Sequence, residues 1–133
     1  MNRTDARELL MQMIFQMEAQ GDSSYGLMKT LYDDKGKIPK SQKDYIESTF
    51  AIVRSHLDDI DDIIDVHSKG WKASRMPKAD LAIARLAIAE IVYADDIPDA
   101  VAINEAVNLA KKYGSDNAAR FINGLLGDVS KGE

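Results

Sequence analysis

The stretch from Asp80 to Tyr93, DLAIARLAIAEIVY, decides the fold class. Apolar residues recur every three to four positions at Leu81, Ala84, Ile88 and Ile91, and further alanines lie between them. A helix that is apolar on more than one side is buried among other elements. Pro77 suits the first turn of such a helix, where its missing N–H costs nothing. We therefore predict the central helix of a bundle, running from about Pro77 to Tyr93.

The helical period continues on both sides of this segment, and no stretch alternates between apolar and polar residues beside hairpin turns. The predicted class is all-α, in a single domain over residues 1–133. Before the central helix, we predict a helix from Thr4, as its N-cap, to Gln20, ended by Gly21, and a short helix from Tyr25 to Tyr32. A loop from Asp33 to Lys40 follows, and then two helices or one bent helix from a cap at Ser41 to Val66. After the central helix, we predict a helix from Val101 to Gly114, a last helix after Ser115 and Asp116, and a frayed tail from Ser130 to Glu133.

Composition limits the possible classes of protein. The 133 residues suit one domain with its own core, and the absence of cysteine excludes disulfides and thiolate metal sites. No apolar run approaches the roughly 20 residues that a membrane span needs, and no secretion signal is recognisable. We therefore expect a cytoplasmic protein with no membrane association.

Charge is distributed unevenly along the chain. The net charge of −5 argues against nucleic-acid binding over the whole surface, because phosphate contacts draw on Lys and Arg. Five aspartates lie between His56 and Val66, whereas the segment from His67 to Ala79 has four cations and no acid. One face is thus suited to RNA and another to a basic protein. The cationic segment is either an extra RNA contact or a solvated loop.

No catalytic constellation is recognisable. The two histidines, His56 and His67, are eleven positions apart, and no Ser or Thr stands in a nucleophile motif. The aspartate run from Asp58 to Asp62 lacks the Gly and the terminal Glu of a calcium loop, and Gly36-Lys37 lacks the rest of a phosphate loop. We expect no catalytic residue, no metal, no cofactor and no enzymatic activity.

Three motifs carry a resemblance to a known family. The stretch from Ile97 to Gly114, IPDAVAINEAVNLAKKYG, resembles the hallmark of the NusB family, a proline followed by V-A-I-N-E-A-V, L-A-K and an aromatic-Gly pair. Residues Phe121 to Leu126, FINGLL, are similar to the family's F-V-N-G-V-L. The segment from Asp80 to Glu90 resembles its D-x-A-I-L-R-x-A-x-x-E helix, which Trp71 and Arg75 precede as in the family. The resemblance extends over essentially the whole chain.

The resemblance implies a fold and a function. The fold would be about seven helices in two packed subbundles. The function would be transcription antitermination: such proteins bind the single-stranded boxA RNA of ribosomal RNA operon transcripts together with the ribosomal protein NusE, in a complex that helps RNA polymerase pass terminators. Some relatives self-associate, so a homodimer is a further hypothesis.

The resemblance also implies candidate RNA contacts, of the kinds that single strands require: cations for phosphates, and aromatic or amide groups for unstacked bases. The arginines of the first helix lie four apart and are expected to project together. Each candidate has a plainer alternative, namely an ordinary helix start, a core or capping aromatic, or a solvated polar face. The candidates are Arg3, Arg7, Tyr113, Asn117, Arg120 and Phe121.

For the protein partner, the resemblance implies a surface at the start of the central helix, with Asp80 as the first candidate. Arg85 and Glu90 belong to the same pattern, or else form internal ion pairs. Asn104 and Glu105 are either structural or functional. With few arginines at the N-terminus, we expect weak RNA affinity without the partner. The rival functions are a helical module that binds only protein through the acidic run, and an accessory domain of an RNA methyltransferase.

Overall fold

A computed structural model of the chain describes residues 1–21, 33 and 38–132. These residues contain no strand, which confirms the all-α class. The predicted short helix from Tyr25 to Tyr32 lies outside the described residues. The described α-helices are α1 (Arg3–Gln20), α2 (Lys40–Ser55), α3 (Leu57–His67), α4 (Lys78–Ile88), α5 (Asp99–Tyr113) and α6 (Ala118–Lys131), with a 3-10 turn at Ala73–Arg75 and a π-helical turn at Ala89–Tyr93.

Helix α4 lies at the centre of the fold, as its sequence predicts. Every residue from Asp80 to Ile88 is buried, and α4 contacts all five other described helices. The helix continues into the π-helical turn and ends at Tyr93, which agrees with the predicted end. Pro77 lies one position before the first helical residue, as the N-cap.

The other helices form two groups around α4. Helices α1 and α2 contact each other and α4, and helices α5 and α6 do the same. Helix α3 contacts members of both groups, namely α2, α4 and α6. This arrangement agrees with two packed subbundles. None of the described helices is long and apolar enough to cross a membrane.

The start of α1 differs from the prediction. Asn2, not Thr4, is the N-cap: its side-chain oxygen accepts a hydrogen bond from the Asp5 backbone N–H at 2.8 Å. The Asp5 carboxylate accepts in return from the Asn2 backbone N–H. This reciprocal capping box satisfies two backbone donors at once, whereas a cap at Thr4 would satisfy one. Gly21 ends α1 in the left-handed conformation, as predicted.

Three further boundaries are settled by the backbone. Residues 40–67 form two helices, separated at His56. The first of them begins at Lys40 after Pro39, so the predicted cap at Ser41 is wrong by two positions. Helix α6 continues to Lys131, two residues into the predicted frayed tail.

Candidate nucleic-acid interface

The turn between α5 and α6, residues 114–117, is hydrogen-bonded to the central helix. The buried Asp80 carboxylate accepts hydrogen bonds from the Ser115 backbone N–H at 3.0 Å and from the Ser115 hydroxyl at 2.7 Å. Gly114 lies so close to its neighbours that an added Cβ would be 2.6 Å from the Ala118 Cβ. Asn117, the N-cap of α6, has a φ of +66°, in the left-handed region that asparagine tolerates. Its side chain is exposed.

A cavity of about 350 Å³ opens beside this turn. It brings together three predicted RNA contacts, Asn117, Arg120 and Phe121, with the predicted partner residue Asp80. Its apolar walls come largely from the segment that precedes α4, and its polar groups come from the turn and from the first residues of α6. The lining residues are Trp71, Met76, Pro77, Asp80, Ser115, Asp116, Asn117, Ala118, Arg120 and Phe121.

Trp71 also lines this cavity, although it was not among the contacts predicted from the sequence. Its side chain is 62% exposed, and its ring centroid lies 6.0 Å from that of Phe121, with the two planes tilted by 58°. The signal was present in the sequence, since Trp71 lies within the acid-free cationic segment. Exposed aromatic rings beside cations are the groups on which single-stranded nucleic acids bind.

Tyr113 lies outside this cavity. Its hydroxyl donates to the Glu8 carboxylate at 2.8 Å and accepts from the Gln12 amide at 3.3 Å. The Lys112 ammonium also bonds to Glu8, at 2.8 Å. Tyr113 therefore joins the end of α5 to α1, and its role in RNA binding stays a prediction.

The two N-terminal arginines do not project together, contrary to the prediction. Arg7 is buried: its Nε donates to both Glu90 carboxylate oxygens, at 3.1 and 3.0 Å, and its Nη1 donates to Glu105 at 3.2 Å. Arg3 remains half-buried at the surface, where its guanidinium lies 4.2 Å from the centre of the Tyr45 ring. The reason for the difference is the acidic pair on the facing elements, which draws Arg7 inward.

Glu90 is the buried centre of this network. Besides Arg7, it accepts a hydrogen bond from the Tyr45 hydroxyl at 2.7 Å. Burial raises the pKa of the Glu90 carboxyl, while the Arg7 charge and the Tyr45 hydrogen bond act in the opposite direction. Burial likewise raises the pKa of the Tyr45 phenol, so its hydroxyl stays a donor. The network joins α1, α2 and α5 to the π-helical turn.

A second ion-pair cluster surrounds Arg85 and explains its place in the motif. The guanidinium donates to both Asp61 oxygens, at 2.9 and 2.8 Å, and to Glu18 at 2.7 Å. Arg85 itself is buried. Of the two possibilities that the sequence left open for Arg85 and Glu90, internal ion pairing is the one the geometry shows. Glu105 likewise has an internal role, because it also accepts from the Thr4 hydroxyl at 2.8 Å.

A second cavity, of about 430 Å³, borders the Arg85 cluster and is more polar than the first. Glu18, Asp61 and Asp65 contribute carboxylates to it, with Lys78 and Arg85 as the cations. Asp58, Asp59 and Asp62 lie exposed on the same helix as Asp61. Among residues 1–21, 33 and 38–132, no group of three or more side chains is placed to hold a metal ion.

Asp80 is expected to stabilise the fold through the turn it holds. Replacing Asp80 with alanine removes both acceptors of Ser115, and hydrogen bonds to charged groups contribute about 1.5–3 kcal/mol each in the interior. We expect a loss of that order in the free energy of unfolding, measured with urea. Asp116→Ala, an exposed change in the same turn, is the matched control and should leave the transition unchanged. Equal effects of the two changes would contradict the assigned role.

The sequence pattern of the NusB family matches residues 4–131. The chain belongs to the NusB family. Transcription antitermination protein NusB of Agathobacter rectalis is 42% identical over 127 residues, which cover 95% of this chain and 97% of that protein. The protein of the same name from Acetivibrio thermocellus is 44% identical over 131 residues, covering 98% and 90%. The recognition of the family from its motifs is thus confirmed.

Solved structures show the same NusB fold. Thermotoga maritima NusB superposes with a TM-score of 0.90 at 29% identity, covering 98% of this chain and 92% of that one. A chain in the crystal structure of antitermination factors NusB and NusE with double-stranded RNA superposes with a TM-score of 0.90, covering 98% and 97%. At 24% identity, this second likeness shows the fold alone.

Proposed function

We propose that this NusB-family chain is a non-enzymatic transcription antitermination factor of the cytoplasm. It binds the single-stranded boxA RNA of ribosomal RNA operon transcripts together with ribosomal protein NusE, and the assembly helps RNA polymerase read through terminators. The proposal is supported by relatives at 42% and 44% identity that are named transcription antitermination proteins and that align over nearly the full length.

The cavity at the α5–α6 turn is the observation that carries the RNA-binding part of this proposal. Unstacked bases are held by aromatic faces and by amides that bond to base edges, and phosphates are held by cations. Phe121, the exposed Asn117 amide and the exposed Arg120 guanidinium supply one group of each kind within one opening. The N-terminal end of the 14-residue helix α6 adds a positive dipole at the same place.

The N-terminal contribution to RNA binding is smaller than two arginines would supply. Arg3 is at the surface and stays a proposed phosphate contact, as Tyr113 stays a proposed contact at the α1–α5 edge. Arg7 instead holds Glu90 and Glu105, and so it positions the start of α1. With one of its cations engaged inside the protein, this patch offers little electrostatic affinity, and the partner is expected to strengthen binding.

The acidic helix α3, which lines the second cavity with Asp61 and Asp65, is the proposed site for NusE. It takes the place of Asp80, the candidate that the resemblance implies, because Asp80 is buried and bonded to Ser115. Complementary charge steers association and disfavours wrong partners, and a ribosomal protein is typically basic. Asp58, Asp59 and Asp62 are exposed, so they are available to such a partner without disturbing the Arg85 cluster. The same surface also favours the alternative function, a module that binds only protein.

RNA titrations separate the two functions. Labelled boxA RNA and a scrambled RNA of equal length are titrated with the protein, with and without NusE, and fluorescence anisotropy is followed at several salt concentrations. We expect selective binding of boxA that tightens when NusE is present. If boxA and the scrambled RNA bind alike even with NusE, RNA recognition is excluded and the protein-only module remains.

Arg120→Gln tests whether the phosphate contact is at the cavity. Loss of one phosphate contact is expected to reduce the slope of log K against log salt by about 0.7 for a single strand. Lys131→Gln is the matched control, because it removes one charge from the other end of α6, about 16 Å away along the helix axis. Its slope should equal that of the unmodified protein, and equal slopes for all three proteins would contradict the placement.

A further inference from the structure

We infer that Trp71 and Phe121 form the binding site of one unstacked RNA base, called the base site below, and that the connector binds the phosphates next to that base. The connector is defined as residues 68–77, between α3 and α4. This inference rests on the proposed RNA binding and extends it to a segment outside the motifs of the α5–α6 region.

The connector presents Trp71 from a firmly held backbone. The Ser68 hydroxyl donates to the Trp71 carbonyl oxygen, and the Trp71 N–H donates to the Ser68 carbonyl oxygen at 3.4 Å. On the other side, the Asp65 carboxylate accepts from the Ala73 N–H at 2.8 Å. Contacts on both sides of Trp71 therefore fix the backbone while the indole itself stays in water.

The two residues before Trp71 have positive φ angles, which turn the chain at the end of α3. Lys69 has a φ of +56° and Gly70 a φ of +99°. A left-handed residue other than glycine persists only where the surrounding structure holds it, and such residues cluster at binding sites. Nothing lies within 4 Å of a Cβ added to Gly70, so it is the backbone conformation that calls for glycine there.

The two rings form an aromatic corner of the cavity. Their centroids are 6.0 Å apart and their planes are tilted by 58°, so they pack edge to face, and a base would stack on the exposed indole beside Phe121 rather than between the two rings. The cavity of about 350 Å³ falls within the range of small-ligand sites, roughly 300–1,000 Å³. Met76 and Pro77 add apolar wall, and Ser115 and Asn117 offer polar groups to the edge of a base.

Charge favours RNA over a protein as the occupant. The connector has three cations, Lys69, Lys72 and Arg75, and no acid, although the chain as a whole carries −5. All three are exposed. Of the two acids in the cavity wall, Asp80 is engaged by Ser115, and Asp116 is suited to the amino group of a base edge. A basic protein would instead favour the aspartates of α3.

Trp71 is the one tryptophan of the chain, so its fluorescence measures directly whether a base occupies the base site. Stacking of a base on an indole quenches its emission. In the assembly with a tryptophan-free NusE variant, we expect boxA RNA to quench the emission in step with the rise in anisotropy.

Trp71→Ala is expected to weaken RNA binding roughly 5- to 150-fold, the effect of losing one base–aromatic stack, and Trp71→Phe should lose less affinity.

Val101→Ala is the matched control, because it trims an exposed apolar side chain on α5 that does not line the cavity, and it should leave RNA affinity unchanged. Unfolding midpoints verify that the variants fold. Selective RNA binding with no quenching, and with full affinity in Trp71→Ala, would contradict the base site and leave the proposed function standing. Weaker NusE binding in Trp71→Ala with unchanged RNA affinity also overturns it, in favour of a protein contact. Absence of selective binding by the unmodified protein overturns both.

Discussion

Replacing Glu90 with glutamine is expected to lower the free energy of unfolding by about 3–5 kcal/mol, the cost of leaving a buried charge without its partner. Glu90 is 1% exposed and accepts hydrogen bonds from Arg7 and Tyr45. Glutamine keeps the shape of the side chain but removes the negative charge, so the Arg7 guanidinium loses its fully buried carboxylate partner and keeps the more exposed Glu105. Urea unfolding followed by circular dichroism measures the change.

The exposed pair of Lys40 and Asp44 supplies the control for this experiment. Their atoms are 2.8 Å apart on the surface of α2, where solvent screens the attraction, so Asp44→Asn should leave the transition unchanged. A double variant, Arg7→Met with Glu90→Leu, should be more stable than Glu90→Gln, because it removes both charges together. If Glu90→Gln unfolds at the same urea concentration as Asp44→Asn, the network does not hold α1 in place.

The second large effect is expected at Gly114. An alanine there would place its Cβ 2.6 Å from the Ala118 Cβ and 2.7 Å from the Ala110 carbonyl oxygen, so backbone must move. Such overpacking costs about 1–3 kcal/mol of unfolding free energy. The shift also displaces Asn117 and the start of α6, and we expect RNA affinity to fall at least about fivefold, since one stacked base alone contributes about 1–3 kcal/mol.

Gly124→Ala is the matched control and should have the opposite sign. Gly124 lies inside α6, and nothing stands within 4 Å of an added Cβ. Alanine at such a position is expected to raise the free energy of unfolding by about 0.5–1 kcal/mol, because glycine loses more backbone freedom on folding. A Gly114→Ala protein that is as stable as Gly124→Ala, and that binds RNA as well, would show that the turn is not packed as described.

Local patterns predicted the parts of the fold that depend on local physics. The apolar run from Asp80 to Tyr93 identified the central helix because burial on every side needs apolar residues on every side. Gly21 marked a helix end because a left-handed cap favours glycine. The cap at Asn2 was missed in favour of Thr4, although the Asn2–Asp5 spacing is that of a capping box.

The site was less predictable, because its geometry depends on residues far apart in the chain. Arg7 has the spacing of a surface residue of α1, and its burial follows from Glu90, 83 positions away. Asp80 has the place of an exposed helix start, and its actual partner, Ser115, is 35 positions away. Trp71 was not predicted as a contact, because its place beside Phe121, 50 positions away in the chain, follows only from the fold.

The central claim, that this NusB-family chain promotes antitermination through boxA RNA, is tested most directly by read-through in a transcription extract depleted of its own NusB protein. The template carries boxA upstream of a terminator, and a second template carries a scrambled boxA. Adding the chain with NusE is expected to raise read-through on the first template only, and the Arg120→Gln variant should do so less than Lys131→Gln. If the Acetivibrio thermocellus relative restores read-through under these conditions and this chain does not, the claim is contradicted.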